Sequence, residues 1–312
     1  MNANANANAN ANTSPNGNGN GNANGNGNGN ASMTRRLRIR HITRVSYAQA
    51  AVRSHNEVRM TPLTLPGQTT LDARVLVNPS TPTWSYWDYW GTQVTGFDLM
   101  EPHEDLTITA VSLVETSPPA DLSPAPTWAE VAERVANSRL LEHSVQTSRT
   151  AVPEELVERA RTAAAGLDPH ETAVAVSDLV ADRVSYIPGS TGVNTSAAEA
   201  WDQGAGVCQD IAHLTAGLLR ALGLPTRYVS GYLHPERDAE LHRPVAGQSH
   251  AWIEYWAGDW TGHDPTNRTR ANESHVVVGR GRDYDDVTPH KGIYRGVAGG
   301  PPEVTVEFTR VA

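Results

Sequence analysis

The chain has 312 residues and a formal net charge of −9. An acidic balance argues against a general nucleic-acid binder, which presents a basic face, and no apolar run approaches the roughly 20 residues that span a bilayer. The single cysteine excludes an internal disulfide and any zinc site built from two or four cysteines of one chain. With no export signal, these features predict a cytoplasmic protein with neither nucleic acid nor membrane as a partner.

Residues 1–32 alternate Asn with Ala and then with Gly. Such a stretch buries too little apolar surface to offset the entropy of ordering it, so a disordered Asn-rich segment is expected. Met33 is an alternative start. Residues 33–118 read as a β-domain. Period-two alternation runs through Leu37, Ile39 and His41, and again through Val75 and Val77, Leu106 and Ile108, and Val111 and Leu113. Arg35, Arg36, Arg38 and Arg40 flank the first of these in a pattern that suits an edge strand. The aromatic stretch Trp84, Tyr86, Trp87, Tyr89 and Trp90 is either a carbohydrate or peptide platform or a strand packed on both faces in a sandwich. β-propensity accounts for the residue types, and the packed strand is the reading taken.

Pro118, Pro119, Pro124 and Pro126 mark a boundary, and residues 119–150 form a linker with a helix. Residues 151–312 form the second unit. Helices are expected after the capping pairs Thr127/Glu130 and Asp168/Glu171, and just beyond Pro153. The Asp168 helix is expected to bury Val174, Leu179 and Val180. Ser196 and Glu199 cap a short helix that carries Trp201. After Gly204-Ala205-Gly206 a long helix runs from about Val207 to Leu222, with Ile211, Leu214, Leu218 and Leu219 on one face, and Gly223 and Pro225 stop it. Strands are expected over 226–233, 249–256, 260–264 and 303–311.

Cys208 opens the long helix. Unpaired N–H groups and the helix dipole at that end favour negative charge on sulfur and on a developing oxyanion. His250 and Asp264 stand 14 residues apart on two strands separated by Ala257-Gly258-Asp259. A tight hairpin there sets His250 opposite residues 264–266, within reach of Asp264. His250, Trp252 and Glu254 share one strand face. This is the nucleophile, base and orienter logic of acyl transfer. Metal ligation by His213, His234, His242, His250, His263 and Asp210 is a competing arrangement, but the spacing contains no HExxH-type pair.

At these residues the chain resembles bacterial transglutaminase-like proteins. The segment from Gly206 to Leu214 is similar to their nucleophile motif, and Gly223 to Tyr232 to the strand that follows it. Ser249 to Glu254 resembles the His motif, His263 to Asn267 the Asp motif, and Gly281 to Val287 the tail signature. The resemblance implies an α+β fold: an N-terminal β-sandwich-like domain, then a papain/transglutaminase-like core of helices packed on an antiparallel sheet. It implies a cysteine peptidase or amidase that works through a thioester on peptide or protein substrates. In that role Cys208 attacks, His250 is the base and Asp264 the orienter, and no cofactor or metal takes part. Gln203 and Tyr186 are candidate oxyanion donors beside the Cys208 N–H. Protein-glutamine transamidation and a non-catalytic peptide-binding scaffold are the alternatives.

Overall fold

The computed structural model describes residues 34–236 and 239–312. The Asn-rich segment 1–32, with the expectation attached to it, and Met33 lie outside the described residues. The fold is α+β: a strand-rich, near-barrel N-terminal region, followed by helices packed against a sheet.

The N-terminal strands are β1 (Arg35–Val58), β2 (Gln68–Asn78), β3 (Thr83–Trp87), β4 (Gln93–Leu99) and β5 (His103–Thr116). The alternation of β1 is seen directly, with Leu37, Ile39 and His41 buried and Arg36, Arg38 and Arg40 exposed. The edge-strand expectation is corrected. Ile39 pairs with Ser112 of β5 on one side and with Phe308 of a C-terminal strand on the other, so β1 is central there. Its arginines line the solvated face of an antiparallel sheet and no free edge.

The aromatic stretch also departs from expectation. β3 pairs with β4 alone and ends the sheet. All five of its residues are exposed, Trp87 by 64%. Residue type gave the strand correctly but not its surroundings, because no second sheet among the described residues covers this face.

The helices are α1 (Trp128–Ala136), α2 (Glu154–Ala163), α3 (Pro169–Arg183), α4 (Ala197–Gln203) and α5 (Cys208–Ala221). Thr127, Asp168 and Ser196 each close a capping box, with Glu130, Glu171 and Glu199 respectively. On α3 the stripe is Ala173, Val176 and Val180, whereas Val174 is exposed. The short strands β6 (Ser185–Tyr186) and β7 (Ala205–Gly206) pair in parallel and bring Tyr186 beside Gly206.

The remaining strands are β8 (Thr226–Leu233), β9 (Pro244–Trp256), β10 (Trp260–Asp264), β11 (Thr269–Arg270), β12 (His275–Gly281), β13 (His290–Ala298) and β14 (Glu303–Arg310). β9 joins the two halves of the sheet. Its first half pairs with β14, Ala246 opposite Glu307, and its second half lies between β8 and β10. The α5 face of Ile211, Leu214 and Leu218 packs on this second half together with Val176, Val180, Tyr228 and Ile253. A separate core joins Leu37 and Ile39 to Val276, Val306 and Phe308. Each buried Leu or Ile contributes about 1.5–3 kcal/mol by leaving water, and α5 is held to the sheet chiefly by such contacts.

Candidate functional site

Cys208 is the first residue of α5, preceded by Val207 in an extended conformation. Asp210, fully buried two residues on, fixes this entry. Its Oδ2 accepts from the Val207 N–H at 2.8 Å and from the Thr191 hydroxyl at 2.5 Å. Burial nonetheless pushes the Asp210 carboxyl above its usual range, with these hydrogen bonds opposing. Gly206 is required next to it, since a Cβ there would stand 2.9 Å from the Asp210 Cβ.

The β9–β10 hairpin forms as the spacing predicts, with Trp256 opposite Trp260 and Ile253 opposite His263. It turns at Gly258, whose φ of 88° suits glycine. His250 lies opposite Gly231 of β8. A Cβ at Gly231 would come within 2.1 Å of the Val276 carbonyl oxygen and 2.7 Å of Trp252. Trp252 stacks on the His250 ring at 6.1 Å between centroids.

Asp264 is completely buried and accepts from every side. Its Oδ2 receives His250 Nε2 at 2.7 Å, Asn267 Nδ2 at 2.7 Å and His275 Nε2 at 3.1 Å. Its Oδ1 receives the N–H groups of Thr266 at 3.0 Å and Asn267 at 3.2 Å. Burial alone would raise this carboxyl. The hydrogen bonds from His250 and His275 outweigh it and hold the group far below the carboxylate range. The Asn272 N–H donates to His275 Nδ1 at 3.1 Å, which places the ring proton on Nε2, aimed at Asp264.

Nε2 of His250 is directed at Asp264, and Cys208 is a neighbour of the ring in the same cavity wall. Burial works against charge on this imidazole. The Cys208 sulfur and Asp264 together outweigh burial and raise its pKa to about 10. Cys208, His250 and Tyr186 open onto one cavity of about 90 Å³. A second chamber of about 110 Å³ shares the walls Val193, Ser249, Tyr284 and Pro289 with it. Tyr186, a candidate oxyanion donor, lines the first chamber, where burial and the Cys208 sulfur raise its phenol pKa. Gln203 sits at the exposed end of α4 and is not in the cavity wall.

Two expectations are corrected by this geometry. The tight group is His250, Asp264 and His275, whose ligating atoms all lie within 4.8 Å of one another, and Cys208 is not part of it. The reading as a cysteine peptidase or amidase, with a Cys-His-Asp catalytic triad and a thioester, is therefore withdrawn. Among the described residues the same three side chains are the group whose chemistry could hold a metal ion, although both imidazole Nε2 atoms are already engaged by the carboxylate. His213, His234 and His263 are not in it. His213 accepts from the Tyr284 N–H at 3.1 Å and lies against Tyr228.

Sequence reasoning missed His275 and the second chamber. His275 stands 11 residues beyond Asp264 with no local signal. Only the pairing of β12 with β8 brings it in, His275 opposite Leu233.

Comparison with known proteins places the chain in a family. Residues 37–115 match the bacterial transglutaminase-like N-terminal region, and residues 157–265 match the transglutaminase-like superfamily core. An uncharacterized protein of Mycobacterium leprae is 43% identical over 277 residues, covering 89% of this chain and 99% of its own length. A protein-glutamine gamma-glutamyltransferase of Pseudomonas aeruginosa is 35% identical over 83 residues, 25% of this chain and 12% of that protein. In fold, a candidate cysteine protease from Cytophaga hutchinsonii superposes with a TM-score of 0.70 at 21% identity, over 90% of this chain and 93% of that one. The periplasmic domain of TgpA from Pseudomonas aeruginosa gives 0.34 at 16% identity, over 77% and 90%. The cytoplasmic expectation rested on the absence of an export signal and is withdrawn, since an absence assigns no compartment. No helix of the described residues is long and apolar enough to cross a membrane. The family and fold point to a protein- or peptide-interacting domain. The chain belongs to the transglutaminase-like superfamily and carries its bacterial N-terminal β-region.

Proposed function

We propose that the chain binds a protein or peptide segment and takes a glutamine-type side chain into the slot at Cys208 and His250. The observation that carries this reading is the shape of the site. A small cavity of about 90 Å³ is lined by Cys208, His250 and Tyr186, and a second of about 110 Å³ adjoins it across Val193, Ser249, Tyr284 and Pro289, a size that suits a single side chain. Cys208, His250 and Tyr186 line the slot, and Asp264 lies behind His250 as its hydrogen-bond partner. The buried ion pair of His250 and Asp264 keeps the ring orientation fixed, so the slot is pre-formed and loses little entropy on binding.

The test is fluorescence anisotropy of labelled peptides that differ only by Gln or Ala at one position. The glutamine peptide is expected to bind at least tenfold more tightly, and Ser249→Trp, which fills the junction of the chambers, is expected to abolish the difference. Equal affinity for both peptides would end this reading.

A second reading is favoured by the relationship to the protein-glutamine gamma-glutamyltransferase. In it the bound carboxamide exchanges its ammonia for a primary amine, R–CONH₂ and R′–NH₂ giving R–CONH–R′ and NH₃. Incorporation of a labelled primary amine into the glutamine peptide tests it. Binding without incorporation leaves a non-catalytic scaffold.

A further inference from the structure

On the N-terminal side of the molecule lies a larger cavity of about 570 Å³, within the ~300–1,000 Å³ range of small-ligand sites. Its walls carry no acidic residue, yet Arg227 and Arg280 both open onto it. These two guanidiniums share one carboxylate, Glu254. Arg280 Nη2 bonds Glu254 Oε1 at 2.9 Å, and Arg227 pairs with Oε2. Glu254 is fully ionised in consequence: burial would raise its pKa, but the two arginines bring it down to about 2. Two cations against one anion leave a surplus positive charge. Asp259, the next carboxylate to act on Arg227, is exposed on the hairpin turn. Arg280 Nε is buried and has no hydrogen-bond partner among the described residues, a donor left over. An unmet buried donor is unfavourable, and the uncompensated charge of this guanidinium favours an anion in the cavity.

The opposite wall is one face of β3 and β4. Ser85 stands opposite Thr95, and Trp87 opposite Gln93. Hydroxyl and amide groups alternate there with an indole that is 64% exposed. This combination suits a pyranose ring, whose apolar face stacks on an aromatic plane while its hydroxyls meet short polar side chains. A peptide added to the free edge of β3 would lie outside the cavity and make no use of the arginines.

We propose that this cavity is a binding site for an acidic oligosaccharide, with sugar rings on Trp87 and a carboxylate on Arg280 and Arg227. It is separate from the slot at Cys208 and does not depend on it.

The test is isothermal titration calorimetry of the full chain with tetragalacturonate, cellotetraose and tetraglutamate. Tetragalacturonate is expected to bind at least tenfold more tightly than either of the others. Trp87→Ala and Arg280→Gln should each weaken it at least tenfold. Trp87→Ala also leaves the melting temperature unchanged, because that side chain is exposed, so its loss of binding cannot come from unfolding. Cellotetraose binding as tightly as tetragalacturonate would overturn the role of the arginines. Tetraglutamate binding as tightly would make the ligand a peptide, and no heat from tetragalacturonate at millimolar concentration would overturn the site altogether.

Discussion

Replacing Asp264 with Asn is the sharpest perturbation of the buried ion pair. The carboxylate is 0% exposed and accepts five hydrogen bonds. An asparagine turns one acceptor into an NH₂ donor, so at least two of the surrounding donors face another donor. It also leaves the His250 imidazolium buried without its carboxylate. Removing one partner of a buried pair costs about 3–5 kcal/mol, a large share of the roughly 5–15 kcal/mol by which a domain is stable. The pH dependence has a definite sign. The folded pKa of His250 is about 10, above the unfolded value of ~6.5. Its contribution is complete below ~6.5 and disappears as pH rises through about 10. Urea unfolding of wild type and Asp264→Asn should therefore show the full loss at pH 6 and a smaller one at pH 10. In a His250→Gln background the same substitution should cost much less, since no buried cation remains. An equal cost at both pH values, or in both backgrounds, would refute the charge argument and leave only packing.

Other outcomes follow from the same structure. Glu254→Gln leaves the partly buried Arg227 and Arg280 without their anion and should cost about 3 kcal/mol. Because Glu254 titrates at about 2 when folded and near ~4.3 unfolded, the wild-type advantage should fade in unfolding experiments as pH falls through that window. Gly217→Ala places a Cβ 2.0 Å from the Thr150 carbonyl oxygen, and a loss of about 1–3 kcal/mol is expected from overpacking, read as a lowered melting temperature. Trp87→Ala, on the exposed edge strand, should stay within about 0.5 kcal/mol of wild type.

How much of this was legible in the sequence depended on how local each signal is. The start of α5 at Cys208 follows from a glycine break and an apolar stripe, and the hairpin from Ala257-Gly258-Asp259. Both need only neighbouring residues. The central place of β1 was hidden, because its second partner, β14, lies more than 250 residues away in the chain. The same limit concealed His275, which pairs into the sheet through β8. Strand propensity identified Trp84 to Trp87 as a strand, yet whether a face is covered depends on distant elements, and none among the described residues covers it. The chemistry was misjudged for a related reason. Spacing brings His250 and Asp264 together, but it gives no sign that the third member of the tight group is His275 and that Cys208 is outside it.

The claim that a glutamine side chain enters the slot can be tested at its end, because Cys208 is the chain's sole cysteine. The measurement is its alkylation rate by a maleimide with and without saturating glutamine peptide. The account predicts slowing of at least tenfold by the glutamine peptide and none by the alanine peptide. An alkylation rate unchanged at saturating glutamine peptide would contradict it.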